Sequence, residues 1–445
     1  MTALHGRYLD TLRKTQWLAP ERLLDYQARL LKDVATHAYE AVPFYRERLR
    51  PLFSGSMFDF RQWSQISPLS RAEVQANVAA MRALSVPVSA ARESAGMTSG
   101  TSGPSLHFSM SELASTASQC MYERMLETHG VDRTAHQARI GVEPRGTADY
   151  PNGSEDQGWN LAYDFSRRSR LSIHSSIAEQ AEWLVRHAPA YLATYQSNAG
   201  ALARHFEASG KQLQLQGVLT VGETLDIANR DDIRRVFGCN VIDSYGAAEV
   251  GYLAFQCPAG GGYHVCAESA LIELVDAKGR DVEPGNRGQV LLTSFYNFAM
   301  PFIRYAIGDF AIAAEGPCAC GRTLPRLAQI LGRQRNAFSF PDGSQHSPWN
   351  WRRHFQSHIR AQQFQIVQTA LDSIELRYVP EDWAAVPDAD LIEQIGRRVI
   401  HPQVVVRAVP VAVIERHPSG KIEDCVSLVL RPGNATIREP TLLSI

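Results

Sequence analysis

The chain has almost no net charge. Lys plus Arg number 45 against 46 Asp plus Glu, a formal charge of -1 over 445 residues. No long basic run interrupts that balance, which argues against a nucleic-acid partner. No uninterrupted apolar stretch approaches the roughly 20 residues that cross a bilayer, so no membrane partner is expected. Residues 1–20 carry charged and polar side chains throughout and lack the apolar segment of a secretory signal. Cysteine is sparse: seven residues, scattered and odd in number. Such a set in a large chain does not read as a disulfide framework and points to a reducing, cytoplasmic setting. There is no internal repeat and no low-complexity tract. What remains, 44% hydrophobic and 20% charged residues, is an ordinary globular composition long enough for two or three domains.

Periodicity sets the expected layout. Leu23, Leu24, Leu30, Leu31, Val34 and Ala38 fall at helical spacing over residues 21–41, and Pro43 should stop that helix. A second helix is expected over Arg71–Met81 with Ser70 as its cap. Further on, Gln137–Val142, Gly217–Val221 and Asn240–Ser244 read as short buried strands. Ile177–His187 and Ala199–Ala208 read as helices between them. Strand–helix alternation of this kind predicts an α/β fold with layered sheets. From about Ala270 the pattern turns β-rich, with Leu271–Val275 and Gln289–Ser294 as strands, which suggests a β-rich subdomain over about 255–330. Residues 331–336 are polar and read as a hinge, so a large domain is expected over 1–333 and a small α+β domain over 334–445. In the latter, Phe364–Ala370, Ser373–Tyr378 and Gln403–Ile414 read as strands and Leu391–Ile400 as a helix.

The richest stretch is Thr98-Ser99-Gly100-Thr101-Ser102-Gly103-Pro104-Ser105. Small residues let the backbone bend tightly and aim N–H groups at one point, which suits a polyphosphate; a flexible surface turn has the same composition. No Lys follows Gly103, so this is not the GxxxxGK[ST] loop. Asp243-Ser244-Tyr245-Gly246-Ala247-Ala248-Glu249 closes an expected strand, a natural ligand-binding edge in an open α/β sheet. Tyr245 could stack on a flat base, and Glu249 offers the hard oxygens that Mg2+ prefers. The plainer alternative is a strand-to-helix turn with an exposed Glu. Asp309, after Gly308 at the end of an apolar run, could accept both hydroxyls of a ribose, or be a turn residue. Arg333 follows Gly332 and could reach the same ribose or a phosphate, or simply solvent. Lys421, in Pro418-Ser419-Gly420-Lys421, could bring a mobile ammonium to charge developing at phosphorus, or be one more loop lysine.

Taken in order, these motifs resemble the adenylate-forming superfamily of acyl-CoA synthetases, luciferases and nonribosomal adenylation domains. The closer resemblance is to the phenylacetate–CoA ligase branch. It extends over Ala41-Val42-Pro43-Phe44-Tyr45-Arg46, Thr220-Val221-Gly222-Glu223-Thr224, Phe298-Ala299-Met300-Pro301 and Cys318-Ala319-Cys320-Gly321-Arg322-Thr323-Leu324-Pro325-Arg326. The resemblance implies a two-step ligase. A carboxylate attacks the α-phosphate of ATP to give an acyl-adenylate and pyrophosphate, and coenzyme A then displaces AMP. It also implies roles: residues 98–103 around the β/γ-phosphates, Glu249 on Mg2+, Asp243 to Gly246 with Tyr245 near the adenine, Asp309 and Arg333 on the ribose, and Lys421 bridging carboxylate and α-phosphate. The family rotates its small domain about a hinge residue, which here is Arg335 where the family usually has Asp or Lys. Pro104 likewise replaces the family's usual Lys after the last loop glycine.

Two further sets follow. Cys257, His264, Cys318 and Cys320 supply the donors of a closed Cys3His site, which suits structural Zn2+, with Cys266 as a substitute ligand. The acyl pocket implied by the resemblance includes Arg145, Tyr195, Gly222, Gly246, Ala247 and Ala248, where small residues would admit an aromatic or cyclic acid. Two other outcomes stay open: an acceptor that is an amine or a carrier-protein thiol, and a zinc-stabilised nucleotide-binding protein without catalysis. A homodimer is compatible with both.

Overall fold

The computed structural model describes residues 2–55, 57–87, 92–98, 105–333, 337–346, 348, 351–417 and 419–429. The chain forms two compact units. One comprises Met1–Gln334 with Arg416–Ile422, the other Arg335–Glu415 with Glu423–Ile445.

In the first unit, the helix Pro20–Ala41 begins with its proline in the first turn, where no N–H is needed. It buries Leu23, Leu31, Val34, Ala35 and Ala38, and it ends as Val42 turns extended ahead of Pro43. Ser70 and Glu73 form a capping box, as Ser176 and Glu179 do for the helix Ile177–His187. The helix capped by Ser70 covers only Arg71–Ala76, shorter than the spacing suggested. Asn77 leaves helical geometry, and its side-chain amide donates to the Glu73 carbonyl at 2.8 Å, which competes with the backbone ladder.

Twelve strands form one hydrogen-bonded sheet. Its parallel part is Asn240–Ala247, Gly217–Val221, Tyr191–Thr194, Gln137–Gly141 and Arg167–Ser172, with Ser154–Gln157 antiparallel at the edge. The connecting helices Ile177–His187, Gln196–Ser209 and Ile227–Phe237 bury Trp183, Leu184, Leu202, Phe206 and Ile233 in a core shared with these strands. On the other side of Asn240–Ala247 the order continues through Gly251–Gln256, Tyr263–Val265, Arg326–Arg333, Tyr305–Ala313, Arg287–Ser294 and Ala270–Val275, all antiparallel. The β-rich segment is therefore hydrogen-bonded into the α/β sheet through the short strand Tyr263–Val265. Arg326–Arg333 is a strand up to its last residue, so the polar stretch after Ile330 begins as ladder. The helices Ala3–Thr15 and Glu112–Thr128 pack on a second core with this antiparallel part.

The second unit is a four-stranded sheet in the order Val405–Pro410, Ser373–Pro380, Ala361–Ala370, Cys425–Ser427. The helix Ala389–Val399 covers it, and Gly396 lies where a Cβ would come within 2.2 Å of Val406. Only a glycine allows that approach. The core here is Phe338, Trp351, Phe355, Ile366, Leu376, Ile392 and Val406. Among the described residues, no helix is long and apolar enough to cross a membrane.

Candidate active site and cysteine–histidine cluster

The site starts at a β-ladder. Asp309 and Arg333 are direct cross-strand partners, so two residues 24 positions apart share one face by register alone. Gly308 and Gly332 both take positive φ, +91° and +74°, which frees the strand ends around them. A Cβ on Gly332 would come within 2.7 Å of Thr224 Oγ1. The Arg333 Nε lies 3.9 Å from Asp309 Oδ1, and the Tyr245 hydroxyl donates to Asp309 Oδ2 at 2.8 Å. Tyr245 is thus anchored to the Asp309 carboxylate. Burial and that carboxylate hold its phenol well above the ordinary value.

Beyond Tyr245 the strand breaks register at Gly246, where a Cβ would meet the Gly251 carbonyl at 2.5 Å. The turn that follows carries Glu249, which is only 4% exposed. Its Oε1 accepts from the Tyr305 hydroxyl at 3.2 Å. Burial raises its carboxyl above the usual range, against the pull of Arg71 and Arg333. Arg71 also donates to Thr98 Oγ1 at 2.8 Å. Thr98 closes an antiparallel pair of Glu93–Met97 with His107–Ser111, exchanging hydrogen bonds with Leu106. Ser99, Gly100, Thr101, Ser102, Gly103 and Pro104 lie outside the described residues, as does Arg335.

Lys421 feels the charges of this group. Burial first, and then the Arg333 charge, lower its ammonium below the ordinary lysine value, while Glu223, Asp309 and Glu249 pull the other way. The segment around it is tied down. Tyr195 donates to the Ser419 carbonyl at 2.9 Å, Arg416 Nη1 to the Gly420 carbonyl at 3.0 Å, and Arg416 Nη2 to Asn198 Oδ1 at 2.8 Å. Gly222 has φ +84°, and a Cβ there would stand 3.2 Å from Lys421 Cε and 3.3 Å from Nζ. Gly420 packs so closely on Ile173, Val142 and Tyr195 that a Cβ would meet each within 3.1 Å.

A separate cluster lies at the β-rich end. The ligand atoms of Cys257, His264, Cys318 and Cys320 all fall within 4.8 Å of one another. The Cys257 and Cys318 sulfurs are 3.6 Å apart, and His264 Nε2 is 3.2 Å from the Cys320 sulfur. A tetrahedron with metal–sulfur bonds near 2.3 Å has edges of about 3.8 Å, so the donor set is of the type zinc takes and its separations, up to 4.8 Å, are compatible with such a site. Gly261 is what lets the segment close: a Cβ there would sit 2.8 Å from the Cys318 sulfur. Burial, with Arg322 and Arg326 nearby, pushes His264 down to about 4, leaving the neutral imidazole a metal requires.

No family model matches the chain. A phenylacetate–coenzyme A ligase of Thermus thermophilus is 29% identical over 152 residues, 33% of this chain and 34% of that protein. The match thus spans about a third of that curated relative's length. Among solved structures, a 2-hydroxyisobutyryl-CoA ligase in its postadenylation state with an adenylate gives a TM-score of 0.73 at 20% identity, covering 92% of this chain and 90% of its own. An anthranilate CoA ligase, AuaEII, with anthranoyl-AMP gives 0.52 at 17% identity, covering 74% and 65%. The chain has the fold of an adenylate-forming ligase.

Within that adenylate-forming fold, the residues singled out by sequence separate into groups. Tyr245, Asp309 and Arg333 are joined by direct contacts, Glu249 is bonded to Tyr305, Thr98 to Arg71, and the Lys421 side chain lies at Gly222. Ser244 and Asp243 face the other way chemically. The Ser244 hydroxyl donates to the Thr220 carbonyl at 3.1 Å. Both Asp243 oxygens are engaged by the protein, Oδ1 by the Thr220 hydroxyl at 2.5 Å and Oδ2 by the Tyr263 hydroxyl at 2.6 Å. Burial pushes its carboxyl up to about 6. Asp243 ties three strands together rather than presenting a free carboxylate. Ala247 ends the strand and Ala248 is exposed, while Arg145 is exposed on the turn at Pro144–Thr147. Cys266 is not in the Cys/His cluster; burial pushes its thiol up to about 12 beside Arg124. Sequence reasoning gave no role to Glu223, Arg416 or Tyr305. Glu223 stood in a recognised motif, but nothing in one chain signalled that its partner lay some 200 residues on.

Proposed function

We propose that the chain is an AMP-forming acid–thiol ligase. In the first step a substrate carboxylate attacks the α-phosphorus of ATP, the bond to the β-phosphate oxygen breaks, and acyl-adenylate and pyrophosphate result. In the second, the thiol of coenzyme A attacks the acyl carbon, the carbon–oxygen bond to AMP breaks, and the thioester forms with loss of the thiol proton. The observation that carries this reading is the pairing of Asp309 with Arg333 across the ladder, with Tyr245 on the same carboxylate and the Lys421 side chain packed at Gly222.

Each residue has a task that its geometry supports. Asp309, held by Tyr245 and facing Arg333, accepts the ribose hydroxyls. Arg333 supports the ribose and adds positive charge. Thr98, which accepts from Arg71, precedes the Ser/Thr/Gly stretch that the family resemblance assigns to the β- and γ-phosphates. Lys421 holds the incoming carboxylate against the α-phosphate, two anions that repel unless a cation is placed between them. Glu249 would hold Mg2+, since a buried carboxylate next to the phosphate region is the hard oxygen donor that ion takes. When bound, the ion supplies charge neutralisation on the phosphates. Cys257, His264, Cys318 and Cys320 would hold zinc, which cross-links the β-rich end and has no open position for chemistry.

Tyr195 and Gly222, beside the lysine, support an acyl site at that point. Aromatic or cyclic acids come first, with phenylacetate and anthranilate as the initial probes. The 2-hydroxyisobutyryl ligase makes a small aliphatic acid the necessary contrast. The experiment is pyrophosphate release with ATP, Mg2+ and these three acids, with and without coenzyme A. Lys421→Ala should lose at least about a hundredfold in release while its melting curve stays in place. Release by Lys421→Ala at the normal rate would remove the assigned role. Release by the native chain that coenzyme A does not stimulate points instead to an amine or carrier-protein acceptor.

A further inference from the structure

Lys421 sits on a loop, and a loop lysine places its charge only as well as its backbone is placed. The backbone N–H of Ile422, the next residue, donates to Glu223 Oε1 at 3.0 Å. The other oxygen of the same carboxylate, Oε2, accepts the Ser197 backbone N–H at 3.0 Å, and Oε1 also accepts the Ser197 hydroxyl at 3.1 Å. Ser197 lies in the first turn of the helix Gln196–Ser209, so that end of the helix fixes the carboxylate from behind. Glu223 directly follows Gly222, the residue against which the Lys421 side chain packs. Backbone on one side and side chain on the other are therefore gripped by consecutive residues. Within the loop, the His417 N–H donates to the Lys421 carbonyl at 3.0 Å and the Gly420 N–H to the His417 carbonyl at 2.7 Å, a tight turn that carries the anchoring on to the lysine.

We propose that Glu223 is the positioning residue that seats Lys421 for the first step. The proposal rests on the ligase reading above. The two backbone N–H groups lie on different segments and reach different oxygens of the one carboxylate, so both oxygens must be acceptors. In Glu223→Gln the amide nitrogen must face one of those N–H groups, donor against donor, so one of the two bonds is lost while side-chain volume is kept. Glu223→Ala removes both.

The test has two arms. The chain holds five lysines, and Lys14, Lys32, Lys211 and Lys278 are exposed whereas Lys421 is partly buried. Acetylation with an N-hydroxysuccinimide ester, read residue by residue by mass spectrometry, reports how well Lys421 is seated and needs no substrate. The other four lysines serve as internal standards. In Glu223→Gln and Glu223→Ala, Lys421 labelling should rise several-fold relative to those four. Equal labelling of Lys421 in native chain and both variants overturns the proposal. So does a rise shared by all five lysines with an early melt, because that is general loosening. The second arm compares half-reactions, using whichever of phenylacetate, anthranilate or 2-hydroxyisobutyrate the native chain adenylates. Adenylation should fall about tenfold or more in kcat with little change in the KM for ATP, while thioester formation from supplied acyl-adenylate is kept. An equal loss in both half-reactions overturns a step-specific seat. Lys421→Ala separates the two claims. If it adenylates normally the ligase reading of Lys421 fails, whatever labelling says of Glu223.

Discussion

Replacing Gly222 by alanine perturbs the lysine assigned to the first step, Lys421, with a single methyl group. The backbone there has φ +84°, where a Cβ is strained. That strain costs about 1–2 kcal/mol and should lower the melting temperature by no more than about 4 °C. The methyl would lie 3.3 Å from Lys421 Nζ and 3.2 Å from its Cε, with Tyr195 Cε1 at 3.5 Å on the other side. Those contacts are too tight to keep. The ring is held by its hydroxyl to the Ser419 carbonyl, so the ammonium is what yields. A displacement of a few tenths of an ångström up to one ångström at a reacting centre costs about ten- to a hundredfold in rate. Pyrophosphate exchange should therefore drop by that factor. Conversion of supplied acyl-adenylate to thioester, which does not use the lysine, should hold. If Gly222→Ala exchanges at the native rate while melting a few degrees lower, the strain argument survives and the placement of the ammonium is refuted.

Two other expectations concern stability. Asp243 is raised from 3.8 to about 6 by burial, so between those pH values the folded chain keeps a proton that the unfolded chain has lost. Stability should therefore fall as pH rises from about 4 to 6, by up to roughly 3 kcal/mol, and Asp243→Asn should flatten that slope in urea titrations at stepped pH. For the cluster of Cys257, His264, Cys318 and Cys320, purified chain should carry about one zinc by elemental analysis. Cys318→Ser should lose the metal and melt earlier; a stable native chain free of metal would refute the zinc assignment.

How much could be read in advance depended on how local each signal is. The strand Gly217–Val221 and the helix Ile177–His187 have the bounds that apolar spacing and a capping box suggest, because both signals lie within a few residues. The helix Glu112–Thr128 escaped notice because it buries Glu123 and Arg124, which break the apolar pattern. Their partners are remote: Arg133 for the first, and Glu268 at 2.6 Å for the second. In the site, Asp309 and Lys421 stand in motifs that announce themselves by residue type. The bond from Tyr245 to Asp309 and that from Ile422 to Glu223 depend on which strands and loops meet, and no spacing in the sequence encodes it. Asp243 stands in the same motif as Tyr245, yet both its oxygens accept hydroxyls from other strands, a pairing that no local spacing announces.

The opposition of Asp309 to Arg333 across a ladder also limits how this chain can be redesigned. Their opposition is set by strand pairing, so a one-residue insertion or deletion next to either residue must be taken up as a further bulge, of which the ladder already has two, or turn one of the pair to the opposite face. If the pair binds a ribose as proposed, a change of strand length there would break the pairing instead of retuning it. Side-chain exchange at fixed length, with Gly308 and Gly332 left alone, is the route that keeps the frame.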